Sequence, residues 1–312
     1  MRGLTRAGAL IASTALFIAA CSSGSTPSPS PSPEASPSPA ASAAASPSAA
    51  ASAAPIAGGL LDKVMKAGKL VVSTDPNYAP QSFQNPDGSF QGFDIDVATE
   101  VAKRLNVAVE FTTPSWDAIT AGSWSGRWDV SVGSMTITTP RQKVLDFSPP
   151  YYFTPAQMTA STASGITTLD GLAGKTICVG ESTTYLDWLN GTLDLGTYSS
   201  TETTPPAGAK AVTQSTDAEC PQLWKSGRND FEGWLSSSTT VQAALDQGMP
   251  LVKVGDPVYY EPLAVAVDKS GPDDSDFMPI LTQIINDMHS DGTLSQFSQK
   301  WFQTDLTVGP SS

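Results

Sequence analysis

From Gly59 to Phe302, short β-rich runs alternate with helical ones, and this alternation constrains the fold more than any other feature of the chain. Residues 69–73 are expected to form a strand. Residues 94–105 are expected to form a helix, because Ile95, Ala98, Val101, Ala102 and Leu105 recur at near-helical spacing. A strand at 107–111, a helix at 116–124 and a strand at 129–132 follow. The second half repeats the pattern, with strands at 175–179, 211–213, 230–235, 251–254 and 263–267 and helices at 183–189, 216–226 and 239–247. Two helices, 276–290 and 293–302, end the series. Strand–helix–strand succession favours parallel pairing through right-handed crossovers, so the fold class is α/β. In open sheets of this class ligands bind beyond the carboxyl ends of the strands. That directs attention to the segments 73–83, 133–141 and 180–184, which carry Asp75 and Tyr78, then Ser134, Thr136 and Arg141, then Ser182, Thr183 and Thr184.

A long prelude precedes this pattern. Arg2 and Arg6 stand before a 14-residue apolar run, 7–20, as in the charged and apolar parts of a secretory signal. The run ends in Ile18-Ala19-Ala20-Cys21, similar to a bacterial lipobox, whose cysteine is diacylated and becomes the first residue; an ordinary signal with an incidental cysteine is the alternative. Residues 22–55 then hold 12 Ser, 11 Ala and 8 Pro among 34 positions, with Glu34 as the one charge. Such a tract buries no apolar area and acts as a stiff tether, reaching about 100 Å if fully extended. The formal charge is −13, from 17 Lys+Arg against 30 Asp+Glu, and becomes −15 when Arg2 and Arg6 leave with the signal. A chain this acidic, without a Lys/Arg run, repels a phosphate backbone, so no nucleic-acid partner is expected. No apolar stretch has the roughly 18 residues of a membrane span. With Cys21 acylated, Cys178 and Cys220 are left to bridge in an oxidising exterior or to remain as two buried thiols. The two cysteines, 42 apart, and a lone His289 lack the spacing of zinc ligands, so neither a metal nor a cofactor is expected.

Several separated motifs, in order, carry a family resemblance. They are 73–80 (Ser-Thr-Asp-Pro-Asn-Tyr-Ala-Pro), Gly92-Phe93-Asp94-Ile95-Asp96, Ser115-Trp116-Asp117-Ala118, and the run from Gly133-Ser134-Met135-Thr136 through Thr139-Pro140-Arg141 to Asp146-Phe147-Ser148-Pro149-Pro150-Tyr151-Tyr152. Gly174-Lys175, Ser182-Thr183-Thr184 and Gly227-Arg228-Asn229-Asp230 continue it. Over residues 60–305 the chain resembles the bacterial extracellular solute-binding proteins of family 3, the receptors of polar amino acid ABC importers. The resemblance implies a two-lobed periplasmic-binding-protein-like fold (type II), each lobe an α/β sheet, with the ligand cleft between them. The expected division is a signal at 1–20, a lipid-anchored tract at 21–57, one lobe from 58–155 plus 260–308 and another from 156–259. The chain is expected to cross near Tyr152–Gln157 and return near Tyr259–Leu263, with the last two helices on the first lobe. The implied role is a monomeric receptor at the outer face of the cytoplasmic membrane, held by its lipid. It would capture a small carboxylate-bearing solute, expected to be an amino acid, and pass it to an importer permease. A cyclohexadienyl-dehydratase-like enzyme and a sensory ligand-presenting protein are the alternatives on the same fold.

The resemblance also assigns residues. Arg141 is expected to grip the ligand carboxylate, since a guanidinium offers a planar fork of donors. Ser134 and Thr136 would add donors, and Thr183 and Thr184, where a helix begins, would add free N–H groups favourable to an anion. Tyr78 and Trp116 match aromatic positions flanking the ligand, and Asp75 an acidic position that meets a ligand cation. Two departures stand out. Many members carry Pro-Pro-Phe where this chain has Ala79-Pro80-Gln81. Amino acid binders also place an aspartate for the ligand ammonium where this chain has Leu235, and Asp75, Glu181 or Glu232 are the candidate substitutes. The dehydratase alternative needs a carboxyl poised as general acid in the cleft, a part Glu181 or Glu232 could serve only if burial raised its pKa. Hydrolase chemistry is disfavoured, with no Gly-x-Ser-x-Gly and His289 expected on the polar face of a C-terminal helix.

Overall fold

A computed structural model describes residues 55–199 and 202–310; the expected signal, Cys21 and the tract as far as residue 54 lie outside the described residues. The first half begins with α1 (Leu60–Ala67) and β1 (Lys69–Ser73). The short strands β2 (Asn77–Tyr78), β3 (Ser82–Gln84) and β4 (Phe90–Gln91) form a small separate sheet. Next come α2 (Phe93–Arg104), β5 (Ala108–Thr112), α3 (Trp116–Thr120), β6 (Val130–Thr136) and β7 (Leu145–Phe147). A long strand, β8 (Tyr152–Ser161), leads to β9 (Thr176–Gly180), α4 (Thr184–Leu189), β10 (Lys210–Gln214), α5 (Cys220–Lys225), β11 (Gly233–Ser237), α6 (Ser238–Asp246) and β12 (Leu251–Lys253). A second long strand, β13 (Tyr259–Asp268), returns the chain to the helices α7 (Phe277–Ser290) and α8 (Thr293–Phe302).

Two parallel groups, β5-β1-β6 and β10-β9-β11, are joined by the antiparallel pair β8 and β13 into one hydrogen-bonded path. The first half of β8 pairs with β13, Tyr152 opposite Leu263 and Ala156 opposite Tyr259. Its second half pairs with β11, from Ala156 opposite Ser237 to Ala160 opposite Gly233. β13 in turn continues past β8 to pair with β6 and β7. β8 therefore pairs with one parallel group and β13 with the other, and these two strands are the crossovers between the halves of the two-lobed, periplasmic-binding-protein-like fold.

The inner parallel strands are buried on both faces, and successive residues pack against different cores. In the first lobe Leu70 and Val72 face a core with Phe93, Val97 and Val101 of α2 and Phe277, Leu281 and Ile285 of α7, whereas Val71 packs on the opposite side with Trp124 and Trp128. Each fully buried Leu or Val contributes roughly 1.5–3 kcal/mol. In the second lobe Ile177, Val179 and Leu235 face one core, while Cys178, Trp234 and Cys220 face the other. Cys178 and Cys220 are joined as a disulfide, tying β9 to the first turn of α5.

Where elements differ from expectation, tertiary contacts give the reason. β6 runs on to Thr136 because β13 pairs along it, so Ser134 and Thr136 lie in a strand rather than a loop. The helix expected at 116–124 stops at Thr120, where Gly122 turns at φ +67° and the Asp268 carboxylate accepts the Ser123 and Trp124 N–H groups. The strand expected at 230–235 is displaced to Gly233–Ser237, since Asp230 is held outside it by Arg228. The helix expected at 216–226 opens as a tight turn over Asp217–Glu219 before α5. Half-buried His289 sits with Nε2 2.9 Å from the Pro150 carbonyl rather than on a fully polar face. Gly92 is required before α2, because a Cβ there would stand 2.1 Å from the Gln81 carbonyl oxygen.

Candidate functional site

The parallel strands of both lobes direct their carboxyl ends at one partly open cavity, whose space of about 470 Å³ includes open solvent. All eight expected residues line it: Asp75 just after β1, Tyr78 in β2, Trp116 opening α3, Ser134 and Thr136 in β6, Arg141 in the turn after it, and Thr183 and Thr184 at the start of α4. Gly133, Tyr185, Ser215, Thr216, Asp217 and Glu261 complete the wall, and none of these is assigned as a site residue from the sequence.

Arg141 is 7% exposed. Its Nη1 donates to the Thr136 carbonyl (3.0 Å), its Nη2 to the Ser182 carbonyl (2.9 Å), and its guanidinium carbon lies 5.5 Å from the centroid of the Trp116 ring. Burial lowers its pKa, with Asp187 and Glu261 opposing, yet a guanidinium remains charged at any physiological pH. Two of its five N–H donors are thus engaged by carbonyls, and the others remain for a carboxylate.

The hydroxyls expected to reach a ligand are committed elsewhere. Ser134 Oγ donates to Asp94 (2.7 Å), which also accepts from the Tyr151 hydroxyl (2.8 Å). Thr136 and Thr184 donate to Glu261 at 2.8 and 2.6 Å, joined there by Tyr185 (2.8 Å) and Thr154 (3.3 Å). Thr183 Oγ1 caps α4, accepting from the Leu186 N–H. The physical reason is that a buried carboxylate without donors is costly, and these hydroxyls satisfy two of them. Burial still pushes Asp94 up to about 7 against its two hydroxyl donors, and raises Glu261 against its donors and Arg141.

Bonds across the cleft hold the lobes together. Tyr78 meets the hydroxyls of Tyr185 (3.1 Å) and Ser237 (3.2 Å), and Gln81 donates to Ser237 (2.9 Å) and Thr239 (2.7 Å). Gln81 is fully buried, so the position where many family members carry an aromatic wall here carries an amide linking the lobes. Trp116 Nε1 donates to the Ser182 carbonyl, Ser182 Oγ to Asp117, and Thr139 pairs with Asp194 through backbone and side chain.

Of the candidate substitutes for an ammonium partner, only Asp75 faces the cavity. Half-buried Asp75 has its pKa raised by burial, and one oxygen accepts the Asn77 N–H. Glu181 is exposed outside the cavity, and Glu232 accepts the Thr176 N–H beside Lys175, so neither can serve as the general acid of the dehydratase alternative. Leu235 points into the core. Asp217 lies on the cavity wall, 4% exposed and pushed up to about 7 by burial, with Ser236 Oγ donating to it. The strand-end rule could have found it, because Ser215-Thr216-Asp217 directly follows β10. Glu261 carried one signal, a charge standing before the apolar run Pro262–Val267 within β13. Among the described residues no group of three or more His, Cys, Asp or Glu is placed to hold a metal.

Residues 70–304 match the family model for bacterial extracellular solute-binding proteins, family 3. The L-cystine-binding protein TcyJ of Escherichia coli (strain K12) is 31% identical over 253 residues, covering 80% of this chain and 88% of the relative. The crystal structure of the ancestral amino acid-binding protein AncCDT-1, a precursor of cyclohexadienyl dehydratase, is similar with a TM-score of 0.65 and 31% identity, over 78% of this chain and 99% of that one. An ancestral arginine-binding protein bound to arginine aligns with a TM-score of 0.64 and 29% identity, over 75% of this chain and 98% of that one.

Proposed function

This chain belongs to the bacterial extracellular solute-binding proteins of family 3, and on that footing we propose that its cleft captures an amino acid for an ABC importer. One observation supports this above the others: a buried guanidinium with donors to spare stands on the wall of the cavity between the lobes. In this reading Arg141 holds the ligand carboxylate, Tyr78 and Trp116 flank its side chain, and Asp75 meets a side-chain cation. Ser134, Thr136, Thr183 and Thr184 shape the wall through Asp94, Glu261 and the α4 cap. Residues 58–155 with 260–308 and residues 156–259 act as the two closing lobes. Hinge closure around the ligand is the general behaviour of periplasmic binding proteins.

The same proposal carries the finer points of address. Cys21 is diacylated, the tract after it is a tether, and the monomeric receptor works at the outer face of the cytoplasmic membrane as a binder, not an enzyme. Cys21→Ala should move the protein from the membrane fraction to the soluble extracytoplasmic fraction, and unchanged membrane retention after carbonate washing would remove the anchor from the proposal. The function is tested by mass spectrometry of the small molecule that co-purifies, followed by thermal shift with the proteinogenic L-amino acids and L-cystine. A ligand at about 100 times its Kd adds roughly 2.7 kcal/mol to stability. No co-purified amino acid and no shift across the panel would refute the reading. Turnover of arogenate or prephenate would refute its non-enzymatic part.

A further inference from the structure

We infer that Asp217 takes the α-ammonium of the ligand, in place of the carboxylate that β11 does not carry. The inference rests on the amino-acid reading above. An ammonium enclosed without a counter-charge costs several kcal/mol, so a cleft that buries an amino acid must offer it an anion. Leu235 is turned into the core, and Glu181 and Glu232 lie outside the cavity. Glu261 lines the cavity, but its two oxygens already accept four hydroxyls. Asp75 is only half-buried and accepts the Asn77 N–H.

Asp217 differs from each of these. It is 96% buried (4% exposed), it lines the cavity, and no lysine or arginine pairs with it among the described residues. One oxygen, Oδ2, accepts from Ser236, and no other side chain among the described residues reaches Oδ1. Ser236 is the neighbour of Leu235 at the end of β11. The carboxylate is therefore anchored to the strand end where Leu235 stands, although it comes from the turn after β10. Gly180 makes room for this: a Cβ there would be 3.0 Å from the Asp217 nitrogen and 3.4 Å from its Oδ1. Burial, with Glu261 and Asp75 adding their charges, disfavours the ionised form of Asp217, and a cation beside it reverses that balance.

The test uses amino acids and their des-amino counterparts: L-lysine with aminocaproic acid, L-histidine with imidazolepropionic acid, L-glutamine with glutaramic acid, and L-cystine with dithiodipropionic acid. Calorimetry should show the wild type preferring the amino acid of a bound pair by about a hundredfold or more, as expected for a buried charge pair. Asp217→Asn keeps the Ser236 bond and should lose most of that preference, while affinity for the des-amino compound stays within about threefold. Ser236→Ala, which loosens the carboxylate without removing it, should lower the preference in part. Glu181→Gln and Glu232→Gln should retain it in full. An unchanged preference in Asp217→Asn, an equal loss for both members of a pair, or a wild type without preference would each overturn the inference. Failure of every amino acid to bind would instead overturn the amino-acid reading, and the inference with it.

Discussion

Asp94 supplies a sharp test of how the buried acids of the cleft behave. It is fully buried, held by the hydroxyls of Ser134 and Tyr151 with no cation beside it, and burial lifts its pKa from 3.8 to about 7. A carboxyl whose folded pKa is raised is protonated in the folded chain while ionised in the unfolded one. The native state then binds more protons between pH 4 and 7, so stability falls as pH rises through that window. A rise of about three pKa units corresponds to about 4 kcal/mol, present in full below the unfolded pKa and lost once the pH passes the folded one. Asp94→Asn removes the titration and keeps an oxygen that accepts from one hydroxyl, while its NH2 donates to the oxygen of the other. Urea unfolding of the ligand-free protein at pH 4.5, 6 and 7.5 should show the stability of Asp94→Asn relative to wild type climbing by about 3–4 kcal/mol across the series. Taking the difference cancels carboxylates that titrate alike in both proteins, among them Glu100 and Asp291, whose pKa values are lowered and which act in the opposite direction. A difference that stays flat with pH would refute the idea that Asp94 is held protonated by burial.

Further outcomes follow from the same geometry. Arg141→Ala should weaken amino acid binding by at least about a hundredfold, since breaking a buried charge pair costs about 3–5 kcal/mol, and unchanged affinity in titration calorimetry would remove Arg141 as the carboxylate clamp. Glu261→Ala takes the shared acceptor from four hydroxyls at about 1 kcal/mol each, so urea unfolding should report about 3–4 kcal/mol of lost stability; a loss below about 1 kcal/mol would show that those bonds are dispensable. Reducing the Cys178–Cys220 bridge, or replacing both residues with Ala, opens a loop with a sequence separation of 42. The chain-entropy model assigns that loop about 4 kcal/mol, and a melting point unaffected by reductant would contradict it.

Much of the site was legible because its residues are recognition side chains at strand ends, where the α/β architecture itself places ligands. Arg141, Tyr78, Trp116 and Asp75 each carry chemistry that local sequence displays. Asp217 was obscured by its neighbours: the run Thr216 to Ser226 has helical spacing, and only contact with β11 through Ser236 sets its first residues in a separate turn. β8 was unreadable for a different reason. Its sequence Tyr-Phe-Thr-Pro-Ala-Gln-Met-Thr-Ala-Ser lacks both an alternating pattern and a continuous apolar run, yet most of it is buried because β11, β12 and β13 all pair with it. The hydroxyl partners of Ser134, Thr136 and Thr184 were not legible, since a hydroxyl at a strand end serves a ligand or a buried acid equally well. The acids that claim them, Asp94 and Glu261, are distant in sequence.

The charge of the chain and the charge of its cleft have separate causes. The formal −13 comes from the whole sequence, most of it solvated, and restricts partners at long range. Inside the cavity one guanidinium faces the carboxyls of Asp75, Asp217 and Glu261, and burial raises the pKa of each of those acids. An arrangement of this kind favours a ligand that brings its own cations along with one carboxylate, because every group then meets an opposite charge. Under the proposed function, a second carboxylate with no ammonium beside it would meet Asp75 or Asp217, and the cavity wall among the described residues holds no second arginine or lysine to receive it. Where those carboxyls are ionised, like charges in such a site cost several kcal/mol, so acidic amino acids are expected to bind more weakly than neutral or basic ones in titration calorimetry. Under the proposed function, selectivity would rest as much on the carboxyls that refuse a second anion as on the arginine that accepts the first.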